Sequence, residues 1–312
     1  MGDADRAHGS QTRVVGFQVE PNAYLSSHTY VIKSFQWQIH GEMTLSQTKP
    51  LLLTGAAGRL AGWLRPQLAK RPGGVRSTDI RAFGPAGENE EIVQADLSDA
   101  AAVDRLVDGV GAIVHFGGIR IEDKWEHILQ ANIIGTYNVF DAARRHGVKR
   151  IVYASSVHAI GYYPSTQTID TEVPHRPDSY YGLSKAFGED LGRFYADKAG
   201  MDIACLRIGT VYDEPKNARM LFTMLSHADM LHLVEVSLDT PDMGFTVVYA
   251  NSANTHNWWD NAKAKVDYRP QANSGDFAQK FTPEDIANTT DPARAFQGGH
   301  FIPLDFGESP PN

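Results

Sequence analysis

From Leu51 onward the chain alternates short apolar runs with longer stretches of helical period. Leu51-Leu52-Leu53 breaks into glycines at Gly55 and Gly58, and apolar positions resume through Leu64 and Leu68. This predicts strand, tight turn, helix. Val75 to Asp79 reads as a second strand, Ile92 to Ala95 as a third and Ala112 to Phe116 as a fourth that ends in Gly117-Gly118. Arg150 to Ala154 predicts a fifth strand and the apolar run Ile203 to Ile208 a sixth. Strands alternating with helical patterns mean βαβ units, a parallel sheet and right-handed crossovers, with functional groups at the carboxyl ends of the strands.

Beyond the sixth strand the pattern loses its regularity. Asn217 to His232 reads as helix in part and Phe245 to Ala250 as a strand, and residues 209–312 are expected mainly to form a small cap over the sheet. The pair Trp258-Trp259 is expected to pack that cap on the core, since paired tryptophans are more often core than binding surface. Residues 1–45 show no helical period and no basic stretch followed by an apolar run. They are expected to be a disordered or non-native leader, with Met43 the suspected start and a single domain over 46–312.

Several of the predicted turns carry chemistry. Gly55 and Gly58 let the backbone approach a pyrophosphate, whose charge then meets the amides and positive dipole of the following helix. Ala61 takes the third small position of this TGxxGxx(A) pattern. Asp79, at the end of the second strand, suits the hydroxyls of an adenosine ribose and repels a 2′-phosphate. This favours NAD over NADP, with Arg76 and Arg81 as nearby opposing charges. Asp96 suits the adenine edge, Asp99 reads as a helix N-cap, and Gly117 and Gly118 again permit close backbone approach.

The most informative stretch is Tyr181-Gly182-Leu183-Ser184-Lys185, where spacing of four puts tyrosine and lysine on one helix face. A phenol is a poor base near neutrality, but a neighbouring ammonium and a cationic nicotinamide ring both favour the phenolate. Ser156 sits just past the fifth strand, at the carboxyl end where catalytic groups of such a sheet belong.

Through TGxxGxx(A), Asp96-Leu97-x-Asp99, Asn132-x-x-Gly135, Ser155-Ser156 and Tyr181-x-x-x-Lys185 the chain resembles the extended short-chain dehydrogenase/reductases. Within them it is similar to the NAD-dependent uronate dehydrogenases, through HFGGI at 115–119, ILQANIIGTYN at 128–138, GYYP at 161–164, YGLSKAFGE at 181–189, WWDN at 258–261 and FQGG at 296–299. The resemblance covers about residues 50–300. It implies an α/β fold, a Rossmann-like doubly wound parallel sheet with a small C-terminal substrate cap.

The resemblance also implies roles. Tyr181 would be the general base, Lys185 would hold the nicotinamide ribose and lower the pKa of the tyrosine, and Ser156 would hydrogen-bond the reacting oxygen. NAD would lie against Gly55, Gly58, Arg59, Leu60, Asp79, Asp96, Leu97, Phe116, Gly117, Gly118, Ile119 and Ile208 as well as Tyr181 and Lys185. Arg219 would take the sugar carboxylate, which a planar guanidinium suits, and His158 would contact the sugar. Val157, Arg120 and Thr210 stand at substrate positions where the family pattern has asparagine, serine and serine. An apolar Val157 would leave a sugar hydroxyl without a partner, at a cost of about 1–3 kcal/mol, and Arg120 would add a second cation for an acidic substrate.

The expected activity is oxidation of the C1 hydroxyl of a free uronic acid to the aldarolactone. A sugar-nucleotide epimerase or dehydratase and a non-catalytic NAD-sensing regulator are the alternatives. From Met43 on only about 270 residues remain, which suits a free sugar acid better than a nucleotide-sugar. The formal charge of −8 argues against nucleic acid as a partner. A hydrophobic content of 42% in 312 residues suffices for a full core, and no run of about 18 apolar residues marks a membrane span. The single cysteine, Cys205, permits no internal disulfide and fits a reducing compartment. No metal-ligand spacing is found. A cytoplasmic homo-oligomer acting on a small acidic sugar is expected.

Overall fold

Seven strands, all parallel, form the central sheet: β1 (Leu51–Thr54), β2 (Val75–Asp79), β3 (Glu90–Gln94), β4 (Ala112–His115), β5 (Arg150–Ser156), β6 (Asp202–Ile208) and β7 (Phe245–Ala250). The structure is a computed structural model and describes residues 49–310. The expected leader, residues 1–45, lies outside the described residues. The strands are ordered β7-β6-β5-β4-β1-β2-β3. Chain direction across the sheet therefore reverses between β1 and β4, where a crevice opens at the carboxyl ends.

Helices cover both faces, which is why the central strands read as unbroken apolar runs rather than as alternating ones. All four residues of β1 and all four of β4 are buried. Alternate residues still divide between two cores. Leu51, Leu53, Val114, Val152 and Leu206 pack with α1 (Arg59–Leu68) and α5 (His227–Asp239) on one side. Leu52, Ile113, Ile151, Tyr153 and Cys205 pack with α2 (Ala100–Val107), α3 (Gly135–Arg145) and α4 (Tyr180–Ala199) on the other.

Three expectations need correction. Phe245–Ala250 is not part of a cap. Its six residues are all buried, and it extends the main sheet by pairing with β6 from Phe245↔Ile203 to Ala250↔Ile208. Cover on both faces of the main sheet is what buries this run without polar alternation. The helical reading of Asn217 to His232 breaks at Met224–Leu225, which pairs with Thr210–Val211, so that α5 starts anew at His227 behind the N-cap Ser226. The fifth strand runs two residues further than expected and takes both serines into the sheet.

What remains outside the sheet and its helices is small. Trp258 and Trp259 join Val157, Ile160, Tyr163, Ile169 and Tyr249 in a third apolar cluster. Trp259–Asp260 pairs with Ile169–Asp170, and Pro164 bridges to Phe296.

Candidate active site

The turn after β1 meets the turn after β4 at the crevice. Gly55 has φ +73°, and a Cβ there would lie 2.6 Å from the Phe116 carbonyl oxygen, so only glycine allows both turns to approach this closely. Gly58 is the N-cap of α1 and offers no side-chain acceptor, which leaves the first-turn amides, those of Arg59 and Leu60 among them, for an external anion. Asp79 accepts the amides of Ala57 at 3.1 Å and Arg81 at 2.9 Å, placing its carboxylate beside the glycine turn. Arg76 is committed elsewhere, to Glu91 and to the carbonyls of Leu106 and Asp108, whereas Arg81 stays at Asp79. Leu97 packs against Gly117, and exposed Asp96 caps its own turn by accepting from Ser98. Asp99 is the N-cap of α2, accepting from Ala101 and Ala102. Arg59 reaches across to the Val211 carbonyl, at the edge of the same crevice as Ile208. This cradle of close-packed glycines, free helix amides and a carboxylate beside the glycine turn fits a dinucleotide.

Asn132, buried in a π-helical turn (Leu129–Ile134), fixes the loop after β4. It accepts from Ile119 N at 2.7 Å and donates to Ile119 O at 3.0 Å and to Ser184 Oγ at 2.9 Å, tying that loop to α4.

Ser156, Tyr181 and Lys185 come together at the carboxyl end of β5, all buried. Ser156 ends the strand and accepts from His158 N, while α4 starts at the N-cap Ser179 and carries Tyr181 and Lys185 inward. Lys185 Nζ donates to the Ala154 carbonyl at 2.8 Å. Lys185 is expected to lower the tyrosine's pKa, and its Nζ stands 5.5 Å from the centre of the Tyr181 ring. Burial pushes Tyr181 up to about 12, a hydrogen bond with Ser156 acts against it, Asp178 adds to it and Arg120 opposes it. Lys185 is itself lowered to about 8 by burial, so that its own charge is disfavoured.

Arg219 is half-buried against Gly299. Its Nη2 donates to the Gln297 carbonyl, and its Nε is sealed from solvent with no partner. Burial lowers its pKa to about 10, with Asp178 opposing and Arg294 adding to that shift. His158 donates Nδ1–H to Asp178 at 2.8 Å, stacks on Phe301 at 3.9 Å and stands edge-on to Tyr181 at 5.6 Å. Exposed Arg120 sets its charge toward Tyr181. Thr210 is taken up by Thr223, with their hydroxyls 3.0 Å apart. Val157 stands next to Ser156 and opens the turn after β5. It is buried in the third apolar cluster with Tyr249 and Trp258, because its isopropyl group has nothing to offer a sugar hydroxyl.

The description "NAD dependent epimerase/dehydratase family" matches residues 51–239. The uronate dehydrogenase of Pseudomonas syringae pv. tomato is 49% identical over 254 residues, covering 81% of this chain and 92% of the relative. The chain belongs to the uronate dehydrogenase family. Two solved structures of that family superpose with a TM-score of 0.79. The glucuronic acid dehydrogenase of Chromohalobacter salexigens is 47% identical and covers 83% of this chain and 98% of its own. A tyrosine-to-alanine mutant of the Agrobacterium tumefaciens uronate dehydrogenase, complexed with NAD, is 46% identical and covers 82% and 98%.

Several residues of this member of the uronate dehydrogenase family escaped sequence reasoning. Glu122 is buried, and its two oxygens accept the backbone amides of Tyr181 at 2.8 Å and Gly307 at 3.0 Å. Glu189 lies beneath the site and takes a bidentate contact from buried Arg207, with Ser155 and His175 as further donors. These partners are 14 to 34 residues away from Glu189 in sequence, so no local pattern announces them. Asp178 had a weak signal, as the residue before the N-cap serine of the helix that carries Tyr181 and Lys185.

Proposed function

We propose that this chain oxidises the C1 hydroxyl of a free uronic acid of glucuronate or galacturonate type to the aldarolactone, with NAD as acceptor. The observation that carries the reading is the half-buried Arg219 guanidinium, whose Nη2 donates to the Gln297 carbonyl and whose Nε is shielded and unpartnered. A sealed cation short of acceptors favours an anionic group of the substrate, and a planar carboxylate suits its two-pronged geometry. Family membership and the dinucleotide cradle around Gly55, Gly58 and Asp79 support the cofactor. When bound, NAD supplies the hydride acceptor.

The residues divide the remaining work. Ser156 holds the reacting oxygen, and Tyr181 takes the hydroxyl proton onto its phenolate oxygen. Arg120 offsets the charge gathering there, while Lys185 holds the nicotinamide ribose from the floor of the site. Arg219 fixes the distal carboxylate and thereby the face of the sugar ring presented, and His158 meets a ring hydroxyl. Arg59, Leu60, Leu97, Phe116, Gly117, Gly118, Ile119 and Ile208 border the cofactor, with Asp96 toward the adenine and Thr210 toward the substrate.

The decisive experiment is an NADH-absorbance screen of D-glucuronate and D-galacturonate against neutral aldoses and nucleotide-sugars. NADH formation with the uronates above all others is expected. Turnover of a nucleotide-sugar without net NADH would replace this reading with an epimerase.

We also propose a homo-oligomer, supported by the exposed apolar side chains of Tyr137 on α3 and of Leu183 and Phe194 on α4. A cytoplasmic location is part of the same reading and rests on the single buried cysteine. Among the described residues no helix is long and apolar enough to cross a membrane.

A further inference from the structure

Asp178 is a buried titratable group beside the site that the proposed chemistry does not use. Its side chain is fully shielded, and Oδ2 accepts from His158 Nδ1 at 2.8 Å while Oδ1 accepts from Ser179 Oγ at 2.8 Å. Two glycines from distant segments close over this carboxylate. A Cβ at Gly161 or at Gly298 would overlap Oδ2, and Gly298 N donates to the Gly161 carbonyl at 2.8 Å. The next residue, Gly299, has φ +72°, and a Cβ there would lie 2.6 Å from Arg219 Nε. The Gly298–Gly299 turn thus has the carboxylate against one residue and the guanidinium against the other. No Arg219–Asp178 ion pair forms, although the two charges feel each other.

We propose that Asp178 is a positioning residue that fixes the tautomer of His158, and that the Gly298–Gly299 turn keeps it from pairing with Arg219 so that the guanidinium stays available to the substrate carboxylate. A carboxylate only accepts, so the proton of neutral His158 is held on Nδ1 and Nε2 is left as an acceptor for a sugar hydroxyl. Collapse of Asp178 onto Arg219 would remove both functions together. The glycine pair is therefore needed for its thinness, since any side chain at either position would strike one of the two charges. This inference rests on the uronate reading of the site.

The test uses Asp178→Asn, His158→Gln and the double variant in the full chain. Asparagine keeps the shape of Asp178 but can donate as well as accept, so the tautomer is no longer dictated. For Asp178→Asn, kcat with D-glucuronate should fall about tenfold or more, the scale of one charge-assisted hydrogen bond. The affinity for D-glucuronate measured by calorimetry should hold or tighten, because the charge of Arg219 is no longer offset. In the His158→Gln background the same change should have little further effect on kcat. A parallel loss of kcat and affinity, or a full additional loss in the double variant, overturns the proposal. The ¹⁵N spectrum of His158 gives a readout without turnover: an Nδ1–H tautomer in the parent that is lost in Asp178→Asn supports it, and an Nε2–H tautomer in the parent overturns it. Absence of NADH formation from any uronate by the parent protein would instead mark failure of the uronate reading, with the ¹⁵N spectrum still deciding the role of Asp178.

Discussion

The ammonium of Lys185 lies 5.5 Å from the centre of the Tyr181 ring, held there by its bond to the Ala154 carbonyl. Burial pushes the phenol up to about 12 and the ammonium down to about 8, so both side chains resist the charged forms that proton removal requires. Ser156 and Arg120 are the groups that favour the phenolate. Tyr181→Phe removes one hydroxyl and no packing volume. It should keep NAD affinity and the thermal midpoint while turnover falls on the order of 10²–10⁴-fold, the usual cost of losing a general base. Near-normal turnover would remove Tyr181 from the role.

The bond from Ala57 N to Asp79 makes a prediction about cofactor choice. If Asp79 reads the adenosine ribose as proposed, a 2′-phosphate would meet its charge, and Arg76 is engaged on Glu91. Asp79→Ala should narrow the ratio of kcat/KM for NAD over NADP, chiefly by improving use of NADP. A parent protein that already uses both equally well would show that Asp79 does not read the ribose.

Substrate class can be read from the two arginines. If Arg219 pairs with a carboxylate in its partly desolvated pocket, Arg219→Ala should lose about 2–5 kcal/mol of transition-state stabilisation toward uronates. Activity on neutral aldoses should change little. Exposed Arg120 can hold the same carboxylate from the side of Tyr181, so Arg120→Ser and the double variant complete a cycle that separates shared from independent roles. An unchanged ratio of uronate to aldose activity across all four proteins would leave the acid-sugar reading without support.

Acid stability should report the buried pair beneath the site. Glu189 is held at about 2; burial raises it, but Arg207 and His175 more than reverse that effect. Its folded pKa lies below its unfolded one, so its stabilisation is complete above about pH 4.5 and is lost as the pH falls toward 2. Glu189→Gln should unfold more readily at neutral pH, since it strands the buried guanidinium, and its urea midpoint should depend less on pH between 4.5 and 2 than the parent's. Parallel pH profiles for the two proteins would show that Glu189 does not carry this part of acid unfolding.

The order of strands and helices up to β6 was legible because a parallel sheet covered on both faces demands apolar runs such as Leu51–Leu53, and glycine punctuates them wherever backbones touch. Tyr181, Lys185 and Ser156 were legible for a related reason: four-residue spacing on a helix and the last residue of a strand are local geometries. The placement of Phe245–Ala250 was not legible, since an apolar strand looks the same in a cap as at a sheet edge until its neighbour Ile203–Ile208 is known. Nor could spacing reveal that burial rather than Lys185 dominates the acidity of Tyr181. Desolvation sums over every segment that closes around a side chain, and those segments meet only in the folded chain. Asp178 shows the same limit. Its neighbours come from two segments distant in sequence, His158 and Gly161 in the turn after β5 and Gly298 far beyond it, and the folded chain alone sets the carboxylate against the imidazole and a glycine's width from Arg219.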